Sequence, residues 1–327
     1  MTILVTGSAG HLGEALMRTL PALGHDAIGI DIKPSPFTHQ VGSVADRAFV
    51  GRVMGGVEVV LHAATLHKPH VATHTRQDFV DTNITGTLNL LEEAALGRVR
   101  AFVFTSTTST FGRALIPPPG APAAWIVEDV VPVPKNIYGV TKLAAEALCE
   151  LFHHRFALPC LILRTSRFFP EPDDAKATRE AYADANVKAN EYLYRRADIE
   201  DIVSAHVLAI DRASALGFGR YIISATTPFT RDDLVELRTY APGVLARHVP
   251  RYREIYASRG WSMFPGIDRV YVNDNARRDL AWQPKYDFAT VLNQLEAGVP
   301  TGSPLAQLVG AKGYHDETFA GEPYPVE

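Results

Sequence analysis

The sequence predicts a doubly wound α/β fold: a parallel sheet with helices on both faces, and a smaller α/β part towards the C-terminus. Three observations predict it. The chain opens on an apolar strand, a glycine turn, a helix and a second apolar strand, from Thr2 to Asp31. Apolar strands then alternate with amphipathic helices, which implies right-handed βαβ units with ligands at the carboxyl ends of the strands. Finally, 327 residues are many for one domain and few for three, so one large domain with a smaller appendage fits.

Composition narrows the class. Apolar residues make up 46% and charged residues 21% of the chain, which is ordinary for a globular protein. Net charge is −4. There is no basic field, so neither nucleic acid nor an anionic membrane is expected as a partner. Cys149 and Cys160 sit in apolar surroundings without a partner motif, and buried, reduced thiols are expected. The first strand begins at Thr2 without a basic leader, and no apolar run approaches spanning length. A cytoplasmic protein is expected.

The first unit has its own chemistry. After the strand Thr2–Thr6 come Gly7, Ser8, Ala9, Gly10, His11, Leu12 and Gly13, then a helix to Leu23 and a strand Asp26–Asp31. Gly7 permits the tight turn, Gly10 lets the backbone approach a pyrophosphate, and Gly13 lets helix and sheet pack closely. Amides at the helix start, where His11 and Leu12 lie, face the anion. Asp31 ends the second strand, where it can accept from both ribose hydroxyls and repel a 2′-phosphate. That favours NAD over NADP, although Lys33 nearby works against the preference. The G-x-x-G-x-x-G spacing is the short-chain dehydrogenase variant, and it demands a Tyr-x-x-x-Lys further on.

The elements follow in order. Lys33 to Pro36 form a turn, and a short segment His39–Asp46, with Ser43 and Val44, leads to a helix ending at Met54. Val57 to His62 form a strand, and Ala63 and Ala64 beyond it leave room for a cofactor against the strand end. A helix across Asn83 runs to Ala95 and stops at Gly97. Ala101–Thr105 is the next strand, followed by hydroxyls from Ser106 to Thr110, well placed for substrate. The proline-rich stretch from Ile116 to Pro134 is expected as a loop, neither helix nor central strand, and a loop of that length is commonly functional.

Tyr138 and Lys142 then open a helix to Phe156. Four residues apart, they share a helix face. A phenol of pKa about 10 is a poor base at neutral pH, and a nearby ammonium lowers it. Tyr138 can then take a proton from a substrate hydroxyl while hydride leaves the same carbon. Lys142 can also hold the nicotinamide ribose, and Thr107 can orient the substrate oxygen.

With these pieces in place the chain resembles the extended short-chain dehydrogenases/reductases of the NAD-dependent epimerase/dehydratase group, whose doubly wound sheet is a Rossmann fold. The resemblance rests on Gly7/Gly10/Gly13, Asp31, His62-Ala63-Ala64, Asn83 to Thr87, Thr105-Ser106-Thr107, Tyr138/Lys142, Leu163-Arg164 and Ile199 to Val203. It runs to about residue 225 and returns at Leu280 to Pro284. It implies a catalytic set of Thr107, Tyr138 and Lys142. It further implies cofactor contacts from Ser43, Val44, His62, Ala63, Ala64, Asn83 and Phe168, and a homodimer through the helices carrying Asn83 and Tyr138. The implied division is a cofactor domain over 1–170 with 198–226 returning to it, and a substrate domain over 171–197 and 227–327.

Departures from the family pattern bear on substrate. Thr108 and Ser109 stand where dehydratases carry an acid pair, so dehydration is disfavoured and Thr108 becomes a substrate candidate. Arg167 stands where epimerases commonly have asparagine, which suggests an anionic group such as carboxylate or phosphate. The stretch Arg164–Pro170 also resembles uronate dehydrogenases. Arg196 borders the region that meets substrate phosphates in the family. His62, His67, His70 and His74 crowd one stretch with Lys68, but no acid or cysteine completes a metal set, and no metal is expected.

The C-terminal part has a helix start at Arg231 behind a Thr230 cap and an extended run Asp268–Val272. The tail from Gly313 is expected as an extended arm. The sequence therefore points to NAD-dependent hydride chemistry on a carbohydrate, probing three outcomes: a nucleotide-sugar epimerase, a sugar-acid or alcohol dehydrogenase releasing NADH, and a non-catalytic NAD sensor. The last would predict loss of the tyrosine or lysine, and both are present.

Overall fold

A computed structural model describes residues 1–313 of the chain. Seven parallel strands form the main sheet: β1 (Thr2–Thr6), β2 (Asp26–Asp31), β3 (Gln40–Val41), β4 (Val59–His62), β5 (Ala101–Thr107), β7 (Cys160–Thr165) and β8 (Phe218–Ile223). The order is β3-β2-β1-β4-β5-β7-β8. The chain reverses its direction of winding between β1 and β4, and a crevice opens there at the carboxyl ends.

Alternation along each strand builds two cores. Ile3, Val5, Leu61, Val103 and Leu161 face one side, against the helices His11–Thr19 and Ile199–Leu216. Leu4, Val60, Phe102 and Ile162 face the other, against Arg47–Val53, Gly86–Gly97 and Ile137–Phe156. Period-two side chains on a sheet covered on both faces require this arrangement. A third cluster, with Leu193, Leu237, Val244, Tyr252, Val270 and Phe288, belongs to the C-terminal part. Leu280, Trp282 and Val309 nevertheless pack into the first core.

Two expectations need correction. The proline-rich stretch is not wholly a loop: β6 (Ala124–Ile126) within it pairs in parallel with β9 (Arg269–Tyr271). A short strand free of proline escapes the missing N–H that bars proline from central strands. The helix through Asn83 is also not regular. After Arg76–Phe79 it widens into a π-helical stretch, Val80–Thr85, before Gly86–Gly97. Apolar spacing does not reveal such a bulge. The extended arm expected from Gly313 onwards lies outside the described residues. None of the described helices is long and apolar enough to cross a membrane.

Candidate active site

The first strand ends in Gly7, whose φ of +75° makes the turn. A Cβ on Gly7 would stand 2.8 Å from Ala64 N, so β1 and the end of β4 close on each other there. Gly10 caps the next helix in extended backbone, with no side chain over the first amides. A Cβ on Gly13 would lie 1.9 Å from the Gly7 carbonyl oxygen. Only glycine permits this approach of helix to turn. Asp31 accepts from Ala9 N at 3.0 Å and Lys33 N at 2.9 Å. Two bonds leave a carboxylate with further lone pairs for a ribose. These residues therefore fit a dinucleotide.

A cavity of about 1080 Å³ runs along the carboxyl strand ends. It is lined by Gly7, Gly10, His11, Leu12, Gly13, Asp31, Ser43, Val44, Ala63 and Ala64, and further on by Thr107, Thr108, Tyr138, Arg167 and Phe168. Most of the residues singled out in the sequence thus share one space. Thr107 ends β5, and Tyr138 lies in the first turn of the helix Ile137–Phe156, which Asn136 caps through Gly139 N at 3.1 Å.

The electrostatics of the pair differ from expectation. Burial pushes the Tyr138 pKa up to about 12, while a hydrogen bond with Thr107 pulls the other way. Burial pushes Lys142 down to about 7, opposed by the Glu146 charge. Lys142 Nζ donates to the Thr105 carbonyl at 2.6 Å and lies 4.0 Å over the Phe104 ring. The ammonium is drawn under β5, away from the cavity lining, and does not depress the phenol.

Three further residues are placed differently from their expected contacts. His62 is buried between Thr6 Oγ1 at 2.8 Å and Thr87 Oγ1 at 3.0 Å, with burial and the Lys142 charge holding its pKa down to about 3. It is a neutral core residue. Asn83 accepts from Leu66 N and Thr65 Oγ1, and donates to Leu66 O and Thr141 Oγ1. Its amide is used up in tying the loop after β4 to the tyrosine helix. Arg196 is buried, donating to Glu191 at 2.7 Å and to Phe169 O at 3.0 Å. Its own ion pair turns it from the cavity.

Arg167 does reach the cavity, but its guanidinium is engaged by Asp174 at 3.3 Å, Glu171 O at 3.0 Å and Pro172 O at 2.7 Å. His67 is closer to the chemistry than its loop position indicated. Its ring centroid is 5.8 Å from that of Tyr138 and 5.4 Å from that of Phe169. Burial first, then the charges of His70, Lys142 and His11, keep its pKa well down, so it is neutral. His11 pairs with Glu171 at 2.9 Å. Lys135, Arg195 and Arg269 also line the cavity. The sequence held no signal for Lys135 or Arg269, because strand pairing between distant segments brings them in.

The model of the NAD dependent epimerase/dehydratase family matches residues 3–223. The chain belongs to this family. A UDP-glucose 4-epimerase of Rhizobium meliloti (strain 1021) is 26% identical over 328 residues, spanning 88% of this chain and 94% of that protein. An uncharacterized UDP-glucose epimerase of Bacillus subtilis (strain 168), YtcB, is 31% identical over 185 residues. That match spans 50% of this chain and 55% of the relative, so the chain covers about half the relative's length. A short-chain dehydrogenase/reductase superfamily protein of Agrobacterium tumefaciens, solved with bound NAD, shares the fold. Its TM-score is 0.64 at 22% identity, covering 91% of this chain and 96% of that one.

Proposed function

We propose that this family member holds NAD along the glycine turn and acts on a carbohydrate alcohol, most consistently as a nucleotide-sugar epimerase. The observation that carries the reading is that Thr107 and Tyr138 meet on the wall of the cavity that begins at Gly7. In this reading Gly7, Gly10 and Gly13 admit the pyrophosphate, Asp31 accepts from the adenosine ribose, and Ser43, Val44, Ala63, Ala64 and Phe168 line the rest. NAD supplies a reversible hydride acceptor. Tyr138 takes the proton from the substrate hydroxyl and returns it, Thr107 fixes the direction of that oxygen, and Lys142 packs beneath both with its amine on the Thr105 carbonyl. The relative from Rhizobium meliloti, a UDP-glucose 4-epimerase, supports a nucleotide sugar as substrate.

A dehydrogenase of a sugar acid is the second reading, favoured by the cations that line the cavity, Arg167, Arg195, Lys135 and Arg269 among them. Absorbance of NADH separates the two. In the epimerase NADH does not accumulate while the sugar inverts. Stoichiometric NADH from a uronate would replace the first reading with the second. A protein that binds NAD but turns over neither class of sugar would refute both.

The same reading takes 1–170 with 198–226 as the cofactor part, and 171–197 with 227–327 as the substrate part. It takes the protein as cytoplasmic. It also takes it as a homodimer through the helices Gly86–Gly97 and Ile137–Phe156, where Leu96, Val140 and Leu151 are exposed.

A further inference from the structure

The guanidinium of Arg167 is already engaged by residues 171–174. The positive charge without such engagement lies on another wall of the cavity. Lys135 and Arg269 both line it. Lys135 closes the proline-rich stretch just before the tyrosine helix, and Arg269 opens β9. The pairing of β6 with β9 sets Arg269 opposite Ala124, in the same proline-rich stretch that runs on to Lys135.

Three observations mark this wall as unbalanced. The Lys135 pKa is pushed down, by burial first and then by the charges of Arg269, Lys68 and Arg113, as happens where cations gather without enough carboxylate. Lys68 has Asp174 at 2.9 Å, but among the described residues no carboxylate pairs with Lys135, Arg113 or Arg269. Arg269 Nε is buried, with no hydrogen-bond partner among the described residues. A buried guanidinium N–H left without an acceptor is costly, and an oxyanion relieves it. The rings of Tyr194 and Tyr271, at 5.8 and 5.9 Å, flank the guanidinium and limit its movement.

We propose that Arg269 and Lys135, flanked by Arg113 and Lys68, form an anion subsite that holds a phosphate or carboxylate of the substrate while its carbinol lies at Tyr138. The identity of the anion refines the proposed function and rests on it for the position of the reacting carbon. The subsite itself requires only that the cavity bind an oxyanion. Its consequence is selectivity: a neutral sugar leaves the Arg269 N–H unpaired, and a site with an unmet polar group discriminates strongly.

Calorimetric titration of the NAD-loaded full chain tests it, with UDP as the diphosphate probe and D-glucuronate as the carboxylate probe. Arg269→Gln and Lys135→Gln are compared with wild type. The affinity for one probe is expected to fall by roughly 10- to 100-fold in Arg269→Gln, the loss of a charged hydrogen bond. Arg269→Lys should recover part of it. Lys135→Gln, at a side chain that forms no ion pair among the described residues, should weaken the same probe and flatten its salt dependence. Whichever probe responds identifies the anion. NAD affinity is measured on every variant and should not change, so a failure of cofactor binding is seen separately. If neither probe binds wild type, or if both variants bind the probe as wild type does, the subsite is refuted.

Discussion

Arg164 on β7 grips Glu146 on the tyrosine helix through two nitrogens, Nε to Oε1 at 3.0 Å and Nη2 to Oε2 at 2.7 Å. Ser106 on β5 donates to the same carboxylate at 2.5 Å. All three side chains are buried. Tyr138, Lys142 and Glu146 recur at helical spacing, so they share a face, and Glu146 pins that face to the two strands beside Thr107. Removing one partner strands a buried charge, which costs about 3–5 kcal/mol. Glu146→Ala is therefore expected to lose about that much in urea unfolding. A loss below about 1 kcal/mol, the level of an exposed pair, would show that the clamp is unimportant.

Gly13→Ala separates helix propensity from packing. In an exposed helix interior the change gains about 1 kcal/mol. Here the new Cβ would lie 1.9 Å from the Gly7 carbonyl oxygen, and backbone cannot swing aside as a flexible side chain does. Destabilisation by about 1–3 kcal/mol is expected, with a loss of NAD affinity that fluorescence titration can follow. Unchanged affinity would mean that the turn tolerates a wider gap than the cofactor reading allows.

Much of this arrangement was legible in the chain. Gly7 and Asp31 lie within one strand-turn-helix-strand unit and Tyr138 opens a single helix, so local spacing is enough to bring each of them to the cavity wall. The positions that could not be read depend on the third dimension. Lys142 has the right spacing to reach the cavity, yet the carbonyl of Thr105 and the ring of Phe104 draw its amine beneath the sheet. The resemblance sets Arg196 beside substrate phosphates, yet buried Glu191 holds its guanidinium instead. His62 and Asn83 match the family pattern but spend their polar atoms on neighbours in the core. Arg269 reaches the cavity that Lys135 also lines on a strand paired with β6, a pairing between segments far apart in sequence, and no local pattern encodes that.

Ala281 offers a stabilising change. Its φ is +55°, and the buried side chains of Leu280 and Trp282 on either side hold the turn in place. Trp282 Nε1 also donates to Asp201 O at 3.0 Å, which anchors the turn to the helix Ile199–Leu216. A left-handed residue with a Cβ costs about 1–2 kcal/mol. Glycine removes that cost but gains about 0.4–1 kcal/mol of disorder in the unfolded chain. The two leave Ala281→Gly more stable by between about 0 and 1.6 kcal/mol, with about 0.8 kcal/mol expected. A drop in the denaturation midpoint would contradict the strain assigned to this position.

Tyr138 gives the sharpest dependence on pH. Its folded pKa of about 12 lies above the ordinary phenol value of 10.0. The unfolded phenol ionises first, so the stability this group contributes is complete below pH 10 and is lost as pH rises to about 12. Catalysis has the opposite sign, because proton removal needs the phenolate and the rate should climb with pH. A cationic ring bound beside Tyr138 lowers its pKa, since an opposite charge favours the ionised form. With saturating NAD the turnover profile should therefore rise with pH and level off below 12. Tyr138→Phe should flatten that profile and lower turnover by about 100-fold or more, with NAD affinity retained. If the variant kept the rising profile, proton transfer would belong to another group, and the neutral His67, 5.8 Å away between ring centroids, would be the residue to substitute next.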